Sequence, residues 1–137
     1  PLWPAPAEAA AARALAGREG FRAGFEARLL PELRAFGPGL LIMSAGFDGA
    51  RGDEGSLAPD METAGLDLRP ADFEWATRAL VAAVGARCPV VSVLEGGYGR
   101  WDDEAGCYDR AGLAACAVAH VQGLQEEAPG DESCPAG

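Results

Sequence analysis

Two short apolar runs, each passing directly into a small polar peptide, constrain the fold of this chain most strongly. The first run, 40–43, leads into residues 44–48, and the second, 89–94, leads into residues 95–98. Runs that are apolar on both alternating faces are typical of parallel strands covered by helices on each side. The second run is also rich in β-branched residues, which favour strands. We therefore predict two parallel strands, buried on both faces, whose carboxyl ends carry the polar peptides.

The segment before the first strand has the periodicity of an amphipathic helix. Its apolar residues recur three or four positions apart and are predicted to share one face. They are Phe21, Phe25, Leu29, Leu33 and Phe36. Pro31 interrupts this pattern, and its ring would clash with the carbonyl of Ala27, so we expect a kink or a restart there.

Two further helices are predicted after the first strand. One covers 70–86, because Pro70 suits the first helical position and Asp72 suits the first turn. The other covers 110–124, with an inward face made of Leu113, Ala117, Val121 and Leu124. The connections 49–69 and 99–107 are predicted to be loops.

The order helix, strand, helix, strand, helix indicates an α/β architecture with a parallel sheet. We predict a loop and alanine-rich lead-in over 1–17, an α/β unit over 18–124 and a flexible tail over 125–137. Two strands are too few for such a sheet, so the 137 residues are expected to form part of a larger domain. The missing initiator Met before Pro1 agrees with that expectation.

The charge of the chain excludes several classes of partner. The formal net charge is −10, and all 11 basic residues are Arg. Binding to a nucleic-acid backbone or to anionic lipid needs a concentrated basic surface, so neither is expected. The apolar runs are also far shorter than the roughly 20 residues of a transmembrane helix. Without a visible secretory signal, we predict an intracellular protein of the nucleus or cytoplasm.

The cysteine and histidine content predicts no structural zinc site. Cys88, Cys107, Cys116 and Cys134 lie far apart in the sequence, and we expect free thiols. His120 is the only histidine, and it falls within the last predicted helix. We interpret it as a half-buried structural residue.

The polar peptides after the strands are the candidate site, because open α/β sheets bind ligands at the carboxyl ends of their strands. Asp48 could be a metal ligand or the cap of a turn. Tyr98 could donate its hydroxyl to a substrate oxygen or pack at the rim of the site. Position alone leaves these alternatives open.

Both peptides resemble signatures of one family, the zinc-dependent histone deacetylases. The resemblance is closest to the class II type and to bacterial acetylpolyamine amidohydrolases. The matching runs are Leu41-Ile42-Met43-Ser44-Ala45-Gly46-Phe47-Asp48 and Val91-Ser92-Val93-Leu94-Glu95-Gly96-Gly97-Tyr98. Residues 25–33, 50–53 and 66–80 also resemble the family, so the likeness extends over about 18–124 and implies part of a three-layer arginase/deacetylase-like fold.

The resemblance implies a role for each matching residue. Asp48 corresponds to an aspartate zinc ligand, and Tyr98 to the tyrosine that polarises the amide carbonyl and stabilises the oxyanion. Gly96 and Gly97 correspond to backbone lining the acyl-lysine channel. The implied cofactor is zinc, and the implied substrate is an acetylated lysine of a histone or other protein, or an acetylated polyamine.

The resemblance also implies that part of the site lies outside this chain. Family members carry the other two zinc ligands and a histidine pair upstream of the position of Asp48, whereas His120 lies downstream. We therefore expect the C-terminal half of a catalytic domain, inactive alone and completed by the missing N-terminal half. The alternative is a non-catalytic interaction module that keeps half of the fold.

Two smaller motifs carry alternatives of their own. The tripeptide Arg51-Gly52-Asp53 spells an adhesion motif, but it lies in the family-like loop, and we interpret it as part of that loop. We expect Glu95 to be a carboxylate that is buried or at the channel edge.

Overall fold

The structure is a computed structural model that describes residues 17–56 and 66–125. Predictions for the lead-in, the middle of the long loop and the tail lie outside these residues. The helices are α1 Gly17–Gly24, α2 Leu30–Phe36, α3 Pro70–Val84 and α4 Ala111–Gln125. The strands are β1 Leu41–Ala45, β2 Val90–Leu94, β3 Arg100–Asp102 and β4 Cys107–Asp109. A π-helical turn covers Phe25–Leu29, and a 3₁₀ turn covers Glu54–Ser56.

Strands β1 and β2 pair in parallel, as predicted. The register runs from Leu41 opposite Val90 to Ala45 opposite Leu94. Helix α3 connects the two strands, as a parallel crossover requires. This arrangement confirms the predicted α/β class.

The described helices cover only one face of this sheet. Met43 is 7% exposed, whereas Ile42 and Val93, whose side chains point to the opposite face, are 62% and 48% exposed. The prediction that helices cover both faces is therefore wrong for the described part of the chain. The second covering layer is not among these residues.

The helix before β1 is interrupted just before Pro31. The Leu30 N–H donates to the Phe25 carbonyl, five residues back, which makes the turn π-helical. This confirms the predicted break. The wider turn also rotates the following residues, so Leu30 is buried while Leu29 and Phe36 are exposed. The predicted apolar stripe is therefore wrong at those two positions.

A buried carboxylate fastens this segment to α3. Asp72 is completely buried, and it accepts hydrogen bonds from the side chains of Arg18 and Arg22 and from the Arg69 N–H. Burial acts to raise the pKa of the Asp72 carboxyl, but these hydrogen bonds outweigh it, and the pKa is lowered. Asp72 thus joins α1 to α3, in addition to its predicted place in the first helical turn.

Helices α3 and α4 pack closely through small side chains. A Cβ at Gly123 would lie 2.8 Å from the Glu74 carbonyl oxygen, so the backbones touch there. The buried face of α4 consists of Cys116, Ala119, His120 and Gly123. Val121, predicted to point inward, is 42% exposed because the contact with α3 uses these small residues instead.

The loop predicted over 99–107 contains structure. Strands β3 and β4 form an antiparallel hairpin, and the rings of Trp101 and Tyr108 pack edge to face with centroids 5.1 Å apart. The predicted surface loop 49–69 is likewise partly buried. Ala50 and Leu68 form a parallel bridge, and they are only 5% and 3% exposed.

Two composition-based predictions bear on the described residues. Cys88, Cys107 and Cys116 are free thiols, and burial raises the pKa of Cys116. Cys134 lies outside the described residues. Within 17–56 and 66–125, no helix is long and apolar enough to cross a membrane.

Candidate active site

Backbone pairing continues beyond the strand ends and holds the two polar peptides side by side. The Glu95 N–H donates to the Ala45 carbonyl over 3.0 Å, and the Phe47 N–H donates to the Gly96 carbonyl over 2.7 Å. These bonds extend the ladder by two residues on each chain segment. The peptides that follow β1 and β2 therefore lie at one edge of the sheet.

Asp48 lies at this edge against three glycines. A Cβ at Gly96 or Gly46 would lie 2.8 or 2.9 Å from the Asp48 Oδ1, and a Cβ at Gly55 would lie 2.7 Å from the Asp48 Cβ. Real Cβ atoms do not approach so closely, so these positions are restricted to glycine unless Asp48 moves. The small residues around Asp48 thus allow the backbone to surround its carboxylate, while the side chain stays exposed.

Tyr98 is the neighbour of Asp48 across Gly55. A Cβ at Gly55 would lie 3.3 Å from the Tyr98 Cδ2 as well as close to Asp48. The Tyr98 side chain is 57% exposed. The structure therefore brings the two principal predicted site residues together at an open edge.

The two glycines predicted to line a channel have different surroundings. Gly96 packs against Asp48, as described above. Gly97 borders an open groove of about 590 Å³ that is also lined by Tyr98, Glu54 and Tyr108. The Tyr108 hydroxyl donates to the Glu54 carboxylate over 3.2 Å, and this hydrogen bond raises the pKa of Tyr108. Gly97 and Tyr98 thus share one groove.

Sequence reasoning missed the role of Asp53. This residue is only 4% exposed, and its carboxylate accepts backbone hydrogen bonds from Gly55, Tyr98 and Gly99 at 2.9, 2.9 and 2.7 Å. A buried Asp53 is not available for adhesion, which agrees with the interpretation of the tripeptide as part of the loop. An aspartate two residues before a glycine is a signal for such a turn, but nothing local indicates the contact with Tyr98.

Glu95 is exposed, so of the two alternatives the buried carboxylate is wrong, and a carboxylate at the channel edge stays a prediction. It follows the last residue of β2, and its backbone N–H is engaged in the ladder.

His120 is more deeply buried than predicted, at 4% exposure. Its Nδ1 lies 2.7 Å from the Thr77 Oγ1, and its Nε2 lies 2.8 Å from the Ser92 Oγ. The Thr77 hydroxyl donates to the Phe73 carbonyl, so it accepts from Nδ1–H, and Nε2 accepts from Ser92. Burial lowers the pKa of His120, which keeps the ring neutral. His120 therefore joins α4 to α3 and β2 as a structural residue.

The described residues supply only part of a metal site. A catalytic zinc takes about three protein ligands together with water or substrate. Asp48 is a suitable carboxylate ligand, but the described residues contain no group of three or more His, Cys, Asp or Glu side chains placed to hold a metal. Asp48 therefore fits the chemistry of one ligand and does not complete a site with its described neighbours.

A parallel α/β layer with its polar site at the carboxyl edge is the arrangement of α/β enzymes. The family model for the histone deacetylase domain matches residues 9–111 of this chain. The Type-2 histone deacetylase 2 of Dictyostelium discoideum is 31% identical over 102 residues, which cover 73% of this chain. The chain therefore belongs to the histone deacetylase family of hydrolases. Its fold is part of the arginase/deacetylase-like fold, and the chain spans 5% of the length of that relative.

Proposed function

We propose that this chain contributes one half of a zinc-dependent active site that hydrolyses acetyl-lysine amides in histones or other proteins. The observation that carries the proposal is the placement of Asp48 and Tyr98 on either side of Gly55, at the carboxyl edge of β1 and β2. The family membership of the chain supports the reaction class.

Tyr98 acts as the hydrogen-bond donor to the acyl oxygen. Its side chain is exposed at the groove, where a substrate carbonyl has access to the hydroxyl. As the amide is attacked, negative charge develops on that oxygen. A fixed hydrogen-bond donor therefore stabilises the transition state more than it stabilises the ground state. Loss of one such donor typically lowers kcat by about 10²–10³-fold.

Asp48 would hold the zinc through its carboxylate. When bound, zinc supplies a Lewis acid and lowers the pKa of a coordinated water. The remaining ligands and the general acid/base residues come from outside the described residues, in the N-terminal half of the domain. On this proposal, the 137-residue chain is inactive alone.

The charge of the chain supports a basic substrate. A net charge of −10 favours the approach of a lysine-rich histone tail. An acetylated polyamine is also cationic and is the alternative small substrate. The nucleus and the cytoplasm are both compatible compartments for a protein substrate.

A non-catalytic interaction module is the second candidate. Two features of the described residues favour it: they hold only part of a metal site, and they leave one face of the sheet uncovered, where Ile42, Val91 and Val93 are exposed. A module of this kind would bind its partner without zinc and without turnover.

Turnover of an acetyl-lysine peptide separates the two candidates. The intact gene product is assayed as wild type, as Tyr98→Phe and as Tyr108→Phe, which removes the chain's other tyrosine hydroxyl. We expect kcat to fall by about 10²-fold in Tyr98→Phe and to stay within about threefold in Tyr108→Phe. Equal kcat values in all three proteins would refute the role of Tyr98, and no turnover in the wild type would favour the interaction module.

A further inference from the structure

We infer that Asp53 is a positioning residue that sets the location of Tyr98 relative to Asp48, an inference that rests on the proposed function. Asp53 lies outside both strand-end peptides, in the loop that follows β1. Its carboxylate nevertheless contacts the backbone of Tyr98 directly. A single side chain thus connects the loop of the first peptide to the end of the second.

The hydrogen bonds divide between the two carboxylate oxygens. Oδ2 accepts from the N–H groups of Tyr98 and Gly99, and Oδ1 accepts from the N–H of Gly55. Hydrogen bonds to an ionised acceptor are about twice as strong as neutral ones. Two such bonds hold the successive N–H groups of Tyr98 and Gly99, and the third ties the same carboxylate to Gly55, so the Tyr98 peptide plane has little freedom in its orientation.

Gly55 relates this anchor to Asp48. The same Gly55 that donates to Asp53 lies against the Asp48 Cβ and the Tyr98 ring. The carbonyl of Gly99 also accepts a hydrogen bond from the Glu54 N–H at 3.0 Å. This backbone bond joins the 3₁₀ turn to the residue after Tyr98, in addition to the bonds of the Asp53 carboxylate. A shift of Asp53 would therefore change the separation of Asp48 and Tyr98.

Side-chain packing does not provide an equivalent restraint on Tyr98. The Tyr98 side chain is 57% exposed, whereas Asp53 is 4% exposed. A donor that stabilises developing charge must hold its geometry before the reaction. For an exposed tyrosine, that geometry has to come from its backbone, and Asp53 holds this backbone.

The carboxylate is needed in this place because an amide cannot satisfy the same three donors. Asp53→Asn preserves the size of the side chain but replaces one acceptor oxygen with an NH₂ group, which is itself a donor. Either the Gly55 N–H or the Tyr98 and Gly99 N–H groups then face another donor. Asp67→Asn is the matched control, because Asp67 lies at the end of the same loop in an exposed ion pair with Arg51.

The experiment measures hydrogen–deuterium exchange and kinetics in the intact gene product. In Asp53→Asn we expect exchange in the peptide containing Tyr98 and Gly99 to increase about tenfold or more, since charge-assisted bonds are lost. Exchange in Val90–Leu94 should stay within about twofold of wild type, because the ladder remains paired. For an acetyl-lysine peptide, kcat should fall about tenfold or more with KM within about threefold, since the transition-state contact is displaced. Zinc content should be unchanged.

A comparison with Tyr98→Phe tests whether Asp53 acts through Tyr98. In the Tyr98→Phe background, Asp53→Asn should lower kcat by less than about threefold further, since the hydroxyl that it positions is already absent. Full additivity of the two losses would overturn the inference. So would unchanged exchange at Tyr98 and Gly99, or an equal increase of exchange in β2, which would indicate general unfolding. If exchange changes locally but the wild type has no turnover, the anchoring of Tyr98 stands and the proposed deacetylase function fails.

Discussion

Substitution of Gly96 by alanine tests how closely the site is built around Asp48. The new Cβ would lie 2.8 Å from the Asp48 Oδ1, whereas ordinary van der Waals contacts begin at 3.4 Å. The carboxylate oxygen must therefore move by the difference, which is about 0.6 Å. A misplacement of about 1 Å in an active site costs on the order of 10²-fold in rate. We therefore expect Gly96→Ala to lower kcat/KM by about tenfold or more.

The same substitution should have little effect on stability. Gly96 does not have a positive φ, so alanine meets no backbone strain there. The atom that it displaces belongs to an exposed side chain that moves at low cost. We expect the free energy of unfolding to change by less than about 1 kcal/mol.

The assay compares Gly96→Ala with Gly112→Ala in the intact protein. A Cβ at Gly112, near the start of α4, meets no atom within 4 Å. This control should retain full activity, and urea titrations should show near-wild-type stability for both variants. Wild-type kcat/KM in Gly96→Ala would refute the argument that the glycines allow Asp48 its position, and a matching loss of stability would show that the effect is general.

Two predictions concern the framework of the domain. Asp72→Asn should reduce the free energy of unfolding by about 2–3 kcal/mol, less than for a fully buried pair, because Arg18 and Arg22 are partly exposed and are rehydrated. Urea titration checks this, with Glu74→Gln as the control, because Glu74 forms a partly exposed i,i+4 ion pair with Arg78. We expect the control to change the free energy of unfolding by about 0.5 kcal/mol or less, and equal losses in both variants would contradict the prediction. The pKa of His120 in the folded protein lies below its ordinary 6.5, so as the pH falls the unfolded chain binds the proton first. The contribution of His120 to the free energy of unfolding should therefore be fully present above pH 6.5 and decrease as the pH drops toward the lowered pKa. His120→Gln should flatten this part of the profile of unfolding free energy against pH, and an unchanged profile would contradict the assignment.

The strands and the approximate helices could be predicted from the sequence because their signals are local. The apolar runs ending at Met43 and Leu94 identify β1 and β2, and Pro70 marks the start of α3. The parallel pairing follows from the helix between the strands. Asp48 and Tyr98 could be proposed as neighbours because the carboxyl ends of paired parallel strands meet at one edge.

The remaining features depend on one irregular helical turn and on contacts between distant residues. The π-helical turn adds a residue to one helical turn, so regular periodicity misplaces Leu29 and Phe36. The inward face of α4 follows from close approach at Gly123, and the anchoring of Tyr98 depends on Asp53, 45 positions earlier. Spacing within one helix or one loop contains no information about either contact.

If Asp48 is a zinc ligand beside Tyr98 in a deacetylase site, the metal must lie within bonding distance of the Asp48 carboxylate. The most direct measurement is anomalous scattering at the zinc edge from crystals of the intact, zinc-loaded protein. We expect a zinc peak about 2.0–2.2 Å from an Asp48 carboxylate oxygen. A fully occupied zinc bound elsewhere, with the Asp48 carboxylate free, would contradict it.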